Sequence, residues 1–163
     1  MPTLEAARGT MTAYLDALID RGPFAQYFSE DVSLYLIGTD QEAHGPAAVE
    51  STIRYLHEQA FDAHPEFKCL IVDGERSAVE ADFVGTHVGE FFGNPATGKS
   101  VRVPYSVVYD LEGDHIKTLR IYISIDALLR QLEPDSPTRR EALVGGEVQR
   151  TVGPHVVVAD LGE

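Results

Sequence analysis

Over residues 67–124 the chain is a succession of strand-forming runs separated only by tight turns, and this limits its fold more than any other feature. Residues 67–72 lead to a turn at Asp73-Gly74-Glu75-Arg76, and a long run over 77–92 meets the turn Gly93-Asn94-Pro95-Ala96-Thr97-Gly98. Residues 101–111 then turn at Glu112-Gly113-Asp114 into 115–124. Parallel neighbours need a crossover of about a dozen residues or more, so connections this short make the four runs antiparallel neighbours.

Helical patterning surrounds that block. Leu4, Ala7, Met11, Tyr14 or Leu15, and Leu18 recur at three- and four-residue steps, and Arg21-Gly22-Pro23 stops the helix they predict, Gly being a common C-terminal cap. A short aromatic helix over 24–28 and a strand over 32–37 follow, then a polar loop over 39–44. Gly45-Pro46 opens a helix whose buried stripe is Val49, Ile53, Leu56 and Ala60, with Pro65 expected to end it. A last helix covers 126–132, before Pro134. The pattern predicts an α+β fold over 1–133, a curved antiparallel sheet forming a cone with helices packed on its concave face. Residues 134–163, poor in periodicity, read as a C-terminal extension, either disordered or packed on a partner.

Charge and cysteine usage exclude whole classes of function. Lys plus Arg number 13 against 26 Asp plus Glu, and a net charge of −13 would repel a phosphate backbone, so no nucleic-acid partner is expected. Cys69 is the single cysteine, which rules out an internal disulfide and a thiolate metal cage; beside Leu70 and Ile71 it reads as a buried strand thiol. No apolar run is long enough to span a membrane, and the N-terminus lacks the pattern of a signal peptide, so a cytoplasmic protein is expected. His57 and His64, with Asp62 and Glu66 nearby, are seven residues apart, and two helical turns would align them, but Pro65 breaks the helix there, and no metal or cofactor is expected.

Alternation assigns the strand faces. Val79, Ala81 and Phe83 face the helices, and the same phase continues through Gly85, His87 and Gly89. Val101, Val103, Tyr105, Val107 and Tyr109 form the inner set of the next strand, and Leu119, Ile121 and Ile123 that of the last. The cavity so enclosed is mostly apolar. Glu80, Asp82, Arg102 and Arg120 fall on the outer face, where they could pair across strands; a β-bulge would instead turn them inward as an acid–arginine cluster able to activate water.

Three stretches carry a family resemblance: Gly85-Thr86-His87-Val88-Gly89, Gly93-Asn94-Pro95-Ala96-Thr97-Gly98-Lys99 and Leu128-Leu129-Arg130-Gln131-Leu132. With the order of elements over about residues 4–132, they resemble the SnoaL-like polyketide cyclases and limonene epoxide hydrolases of the nuclear transport factor 2-like superfamily. The resemblance implies the cone fold and small-molecule chemistry. It also implies an acid and a histidine at positions that fall on Ile121 and Val107, and neither residue can move a proton. The epoxide-hydrolase set falls near Ala81, Phe83 and Ile121. Of the ketosteroid-isomerase set, Tyr14 matches the helix tyrosine, while the two acids fall near Leu36 and Ser106.

The candidate site is therefore built from what remains. His87, between Gly85 and Gly89, which would leave room for a ligand, is the expected proton carrier. Tyr105 is expected to hold an oxygen. Tyr14 joins the catalytic candidates through the resemblance, although its stripe with Met11 and Leu18 reads as core packing. Phe83, Val107, Ile121, Leu36 and Asp40 are expected to line the substrate, with His44 beside the mouth. The expected activity is cyclase or isomerase chemistry on a hydrophobic metabolite without the usual acid. The alternatives are a non-catalytic binding protein, a dimerisation module with a filled cone, and water activation if Asp82 and Arg120 face inward. A homodimer through the convex sheet face is expected.

Overall fold

The structure is a computed structural model and describes residues 3–134. Thr3 starts the first helix, α1 (Leu4–Ile19): its hydroxyl accepts from the Ala6 N–H at 3.0 Å, satisfying a donor that every helix start leaves open. Ala7, Met11, Tyr14 and Leu15 are its buried stripe. The C-terminus closes with Gly22 N–H to Ala17 O and Arg21 N–H to Leu18 O, but the left-handed position belongs to Arg21 (φ 54°), not to the glycine. Arg21 offsets that strain through its guanidinium, whose Nη2 donates to His57 O at 3.1 Å, Asp62 Oδ1 at 2.7 Å and Ala63 O at 3.0 Å.

A 3₁₀ turn (Phe24–Tyr27) leads into β1 (Phe28–Leu36) and β2 (Glu42–His44), so part of the expected polar loop is an edge strand. Helix α2 (Pro46–Arg54) continues as a π turn (Tyr55–Ala60) into β3 (Phe61–Val72), followed by β4 (Arg76–His87), β5 (Ser100–Glu112), β6 (His115–Ile123) and α3 (Ile125–Gln131). The sheet order is β2-β1-β6-β5-β4-β3. Strands β3 to β6 are antiparallel neighbours, as their short turns require, while β1 lies parallel to β6. The extension expected over 134–163 lies, beyond Pro134, outside the described residues.

Two prolines sit inside strands at positions that do not need their N–H. Pro65 does not end a helix; it lies in β3, at the sheet edge. The Asp62 carbonyl turns toward β4, while the Ala63 carbonyl turns to the free edge and meets Arg21; Pro65 shares the phase of Ala63, so its missing donor faces that edge. In β5, the Gln131 side chain bonds both the N–H and the C=O of Arg102 (2.9 and 3.0 Å), where β6 has already ended. Pro104 shares that phase, so the sheet loses no ladder bond to it.

The inner face follows the alternation: Val79, Ala81, Phe83, Val101, Val103, Val107, Tyr109 and Leu119 are buried. On the outer face Arg102 Nη1 reaches Asp82 at 2.9 Å and Glu66 at 2.8 Å, and Lys68 reaches Asp82 at 2.9 Å. Arg120 Nη2 bonds Asp110 at 3.2 Å, and Arg76 bonds the same carboxylate at 3.1 Å. The charged cluster thus pairs across strands, and the inward arrangement of Asp82 and Arg120 that water activation requires is not adopted. On β3 a bulge inverts a segment: Phe67 opposes Ala81 but Cys69 opposes Glu80. Lys68 is the extra residue, and beyond it Cys69 and Ile71 turn outward; the thiol expected to be buried is exposed.

Candidate functional site

A cavity of about 260 Å³ opens between β1, the β2 approach, the α2–π-turn segment, the β4–β5 loop and β6. Leu34, Leu36, Leu56, Phe91, Phe92 and Ile121 form its apolar wall, and Gln41, Glu42, Thr52 and Tyr55 its polar side. Thr52 and Tyr55 share one helical face, Tyr55 still in α geometry with its N–H on the Ser51 carbonyl. The Tyr55 hydroxyl donates to the Glu90 carbonyl, with the Glu90 carboxylate 3.3 Å away. Desolvation first, and then the Glu90 charge, hold the Tyr55 phenol above its ordinary pKa, so it stays a protonated donor. Glu42 Oε1 lies 3.0 Å from His44 Nε2, and His44 Nδ1 lies 3.0 Å from Ser33 Oγ, a string on the outer phase of β1 and β2, opposite the inward Leu34 and Ala43.

Of the residues expected at the site, Ile121 and Leu36 line the cavity. His87 does not. It is fully buried, and the loop after β4 is tied to it: His87 N–H donates to Lys99 O, Gly98 N–H to His87 O, and Thr97 N–H to His87 Nδ1 at 3.1 Å. A backbone N–H can only donate, so Nδ1 is the acceptor and the neutral ring carries its proton on Nε2. That Nε2 has no partner, and the ring packs on Phe61 with centroids 5.2 Å apart. The flanking glycines leave no ligand room either. A Cβ on Gly85 would stand 2.5 Å from Asp62 O, and one on Gly89 2.1 Å from Gln59 O, so both spaces are filled by backbone.

Tyr14 lies in the main core, its ring 5.8 Å from Tyr109 and 5.7 Å from Phe28, with its hydroxyl bonded to Tyr109. Burial pushes the phenols of Tyr14, Tyr105 and Tyr109 well up, so all three are neutral. Tyr105 touches both hydrophobic clusters of the cone and sits edge-on to Phe83. Phe83 and Val107 are core residues, and Asp40 is exposed beside Gln41, which takes the lining position instead. Sequence reasoning missed Tyr55, Thr52, Glu42 and the Phe91–Phe92 pair; the adjacent aromatics before Gly93 were the one visible signal, absorbed into an overlong strand. Among the described residues no group of three or more His, Cys, Asp or Glu is placed to hold a metal ion, and no helix is long and apolar enough to cross a membrane.

Comparison with known proteins agrees with this geometry. The family model for SnoaL-like polyketide cyclases matches residues 9–132. Among solved structures, a provisionally named SnoaL-like polyketide cyclase from Jannaschia sp. CCS1 superposes with a TM-score of 0.73 at 17% identity, covering 83% of this chain and 97% of that one. TsrD from Streptomyces laurentii gives 0.67 at 19% identity, covering 81% and 98%. A provisionally named ketosteroid isomerase from Kribbella flavida DSM 17836 gives 0.60 at 19%, covering 84% and 85%. These likenesses show a shared nuclear transport factor 2-like fold. No curated protein matches the chain by sequence.

Proposed function

The chain belongs to the SnoaL-like polyketide cyclase family, and from that membership we propose that it is a cofactor-independent enzyme of cyclase or isomerase type acting on a hydrophobic small molecule held in the cavity. The observation that carries this reading is the division of the lining: a wall of leucines, phenylalanines and Ile121 on one side, Glu42, Gln41, Thr52 and Tyr55 on the other. An apolar wall folds a flexible substrate and excludes water, and positioning alone supplies much of the rate of an intramolecular reaction. Ile121 leaves no acid on this wall, and the one lining carboxylate among the described residues, Glu42, shares the outward phase of Tyr35, so the reading is a rearrangement driven by positioning with little proton transfer. The Tyr55 hydroxyl donates its one proton to the Glu90 carbonyl, so toward a substrate it acts as an acceptor for a hydroxyl.

Mass spectrometry of molecules extracted from freshly isolated protein supplies the substrate candidate. Incubation should give a product of unchanged mass, or of mass reduced by one water, with a new retention time. Ile121→Trp, which fills the cavity from β6, should abolish turnover while the melting temperature shows the fold is kept. Equal turnover by Ile121→Trp and wild type would take the cavity out of the chemistry. A second reading, a protein that binds its ligand without changing it, is favoured by Ile121, which brings a methyl-bearing side chain where the resemblance asks for an acid. Long incubation that returns the ligand intact would establish it. We also propose a homodimer through the outer sheet face, where Tyr122 is 44% and Ile71 62% exposed; a monomer mass in light scattering would exclude it.

A further inference from the structure

Among the described residues other than glycine, only Arg21 and Phe92 have a left-handed backbone. Their circumstances differ. The Arg21 side chain makes three hydrogen bonds that offset its strain. Phe92 (φ 46°) has a side chain that makes no polar contact, and the residue is 47% exposed, its ring edge-on to Phe91 at 4.8 Å. With Gly93 (φ 80°) it occupies the centre of a tight turn closed by Phe91 N–H to Asn94 O and Asn94 N–H to Phe91 O, at 3.0 and 2.9 Å. Positive φ at both central positions is the type I′ pattern, which favours Gly, Asn and Asp and disfavours an aromatic side chain.

The surroundings over-determine this turn. Gly93 N–H donates to Glu90 Oε1 at 2.8 Å, Asn94 Nδ2 to the Phe91 and Phe92 carbonyls, and Tyr55 to the Glu90 carbonyl. Upstream, Val88 and Gly89 N–H both donate to Ala60 O at 3.0 Å, and downstream the His87–Thr97 bond fixes the rest of the loop. None of these ties requires an aromatic side chain at 92. What the aromatic does contribute is a wall of the cavity.

We propose that Phe92 is the specificity-determining residue at the cavity mouth, an aromatic held over the opening that limits the size of the flat, neutral, hydrophobic molecules admitted. This rests on the cavity reading above. A cavity of about 260 Å³ lies below the usual range of roughly 300–1,000 Å³ for drug-sized ligands, so the residue at its rim decides what enters. Backbone ties hold the turn while the half-exposed ring remains free of hydrogen bonds, so a change of side chain alters the opening without dismantling the loop.

The test uses two neutral fluorescent probes, the two-ring dye Prodan and the larger Nile red, on the full chain, with melting temperature confirming that each variant is folded. Phe92→Gly should tighten Nile red about 10-fold relative to Prodan, the scale of one or a few apolar groups newly accommodated. Phe92→Tyr should keep the wild-type ratio. Phe92→Gly should also melt at or above wild type, because glycine relieves the left-handed strain. Ile121→Trp, which fills the cavity from β6, should abolish binding of both dyes. If it does so while Phe92→Gly leaves the ratio unchanged, the cavity stands and the role of Phe92 falls. If both dyes still bind Ile121→Trp, or bind neither wild type nor Phe92→Gly, the cavity reading falls and the proposal with it.

Discussion

The cone contains two aromatic clusters that differ in almost every physical respect. Around Tyr14, the rings of Phe24, Phe28 and Tyr109 meet edge-on or tilted at 5.7–6.2 Å, all of them buried. Around Phe61, the rings of Phe83, Phe91 and His87 pack at 5.0–5.3 Å, but this cluster borders the cavity through Phe91 and continues into the exposed, strained Phe92. Among the described residues three buried side-chain nitrogens or oxygens have no hydrogen-bond partner; Nε2 of His57 and of His87 lie against this second cluster, and Ser77, whose Oγ is the third, lies opposite Tyr109 of the first. Filled space and ordinary backbone mark the first as the part that holds the fold. Strain, unmet ring nitrogens and open volume mark the second as the part bent toward ligand binding.

The largest expected effect separates the two clusters directly. Tyr14→Ala should destabilise by about 3–5 kcal/mol, since the site is close-packed on all sides and cannot collapse. Phe91→Ala, beside a cavity that already exists, should cost about 2–3 kcal/mol while weakening ligand binding. Urea melts of both variants check this. Equal costs would mean that the mouth is packed as tightly as the base, and the division between the clusters would be lost.

The next effect is a pH dependence lodged in the second cluster. Burial is the main reason the His57 imidazole is held below its ordinary pKa of 6.5, although its Nδ1–H donates to Ile53 O at 2.8 Å. The unfolded chain therefore binds a proton near pH 6.5 that the folded chain refuses until a lower pH. Stability from this group is complete above that range and falls as pH drops below it, by at most about 1.4 kcal/mol per pH unit. His57→Asn, which keeps a donor for Ile53, should flatten this limb of the stability profile. An unchanged slope between wild type and variant would show that His57 is solvated.

How much of this was readable beforehand depends on whether the cause was local. The phase of Val79, Ala81 and Phe83 follows from alternation within one strand, and it held on β4, β5 and β6. Cys69 turned outward because one extra residue, Lys68, entered β3, and nothing in the residues themselves marks a bulge there. His87 lies on the face that alternation gives it, but its burial and its bond to Thr97 are not local, since Thr97 arrives from the far side of a turn. Phe91 and Phe92 look like strand residues by propensity. What ends the strand before them is the approach of Gly89 to the Gln59 carbonyl, a contact between segments that no local pattern encodes. Ile121 and Leu36 are legible as cavity residues because facing alone decides their place, whereas Tyr55 lies beside the stripe of Val49, Ile53, Leu56 and Ala60, and its partner Glu90 comes from a distant segment.

The smallest effect concerns the outer face of the same strands, where charges are paired but wet. The Arg120 guanidinium, and then Arg76, hold the Asp110 carboxyl below its ordinary pKa of 3.8. Its contribution is present above that value and is lost as pH falls through the depressed one, because the unfolded chain takes up the proton first. Solvent screening keeps such a pair to about 1 kcal/mol or less. Asp110→Asn should therefore lower the neutral-pH stability only slightly, and should soften the acid limb below pH 4. In a double-mutant cycle with Arg120→Gln the coupling should stay at about 1 kcal/mol or below, and should shrink in high salt. A coupling above about 2 kcal/mol that resists salt would mean the pair is desolvated. For a side chain 28% exposed in this chain alone, that result would point to a second surface covering the sheet, the arrangement expected of a dimer through this face.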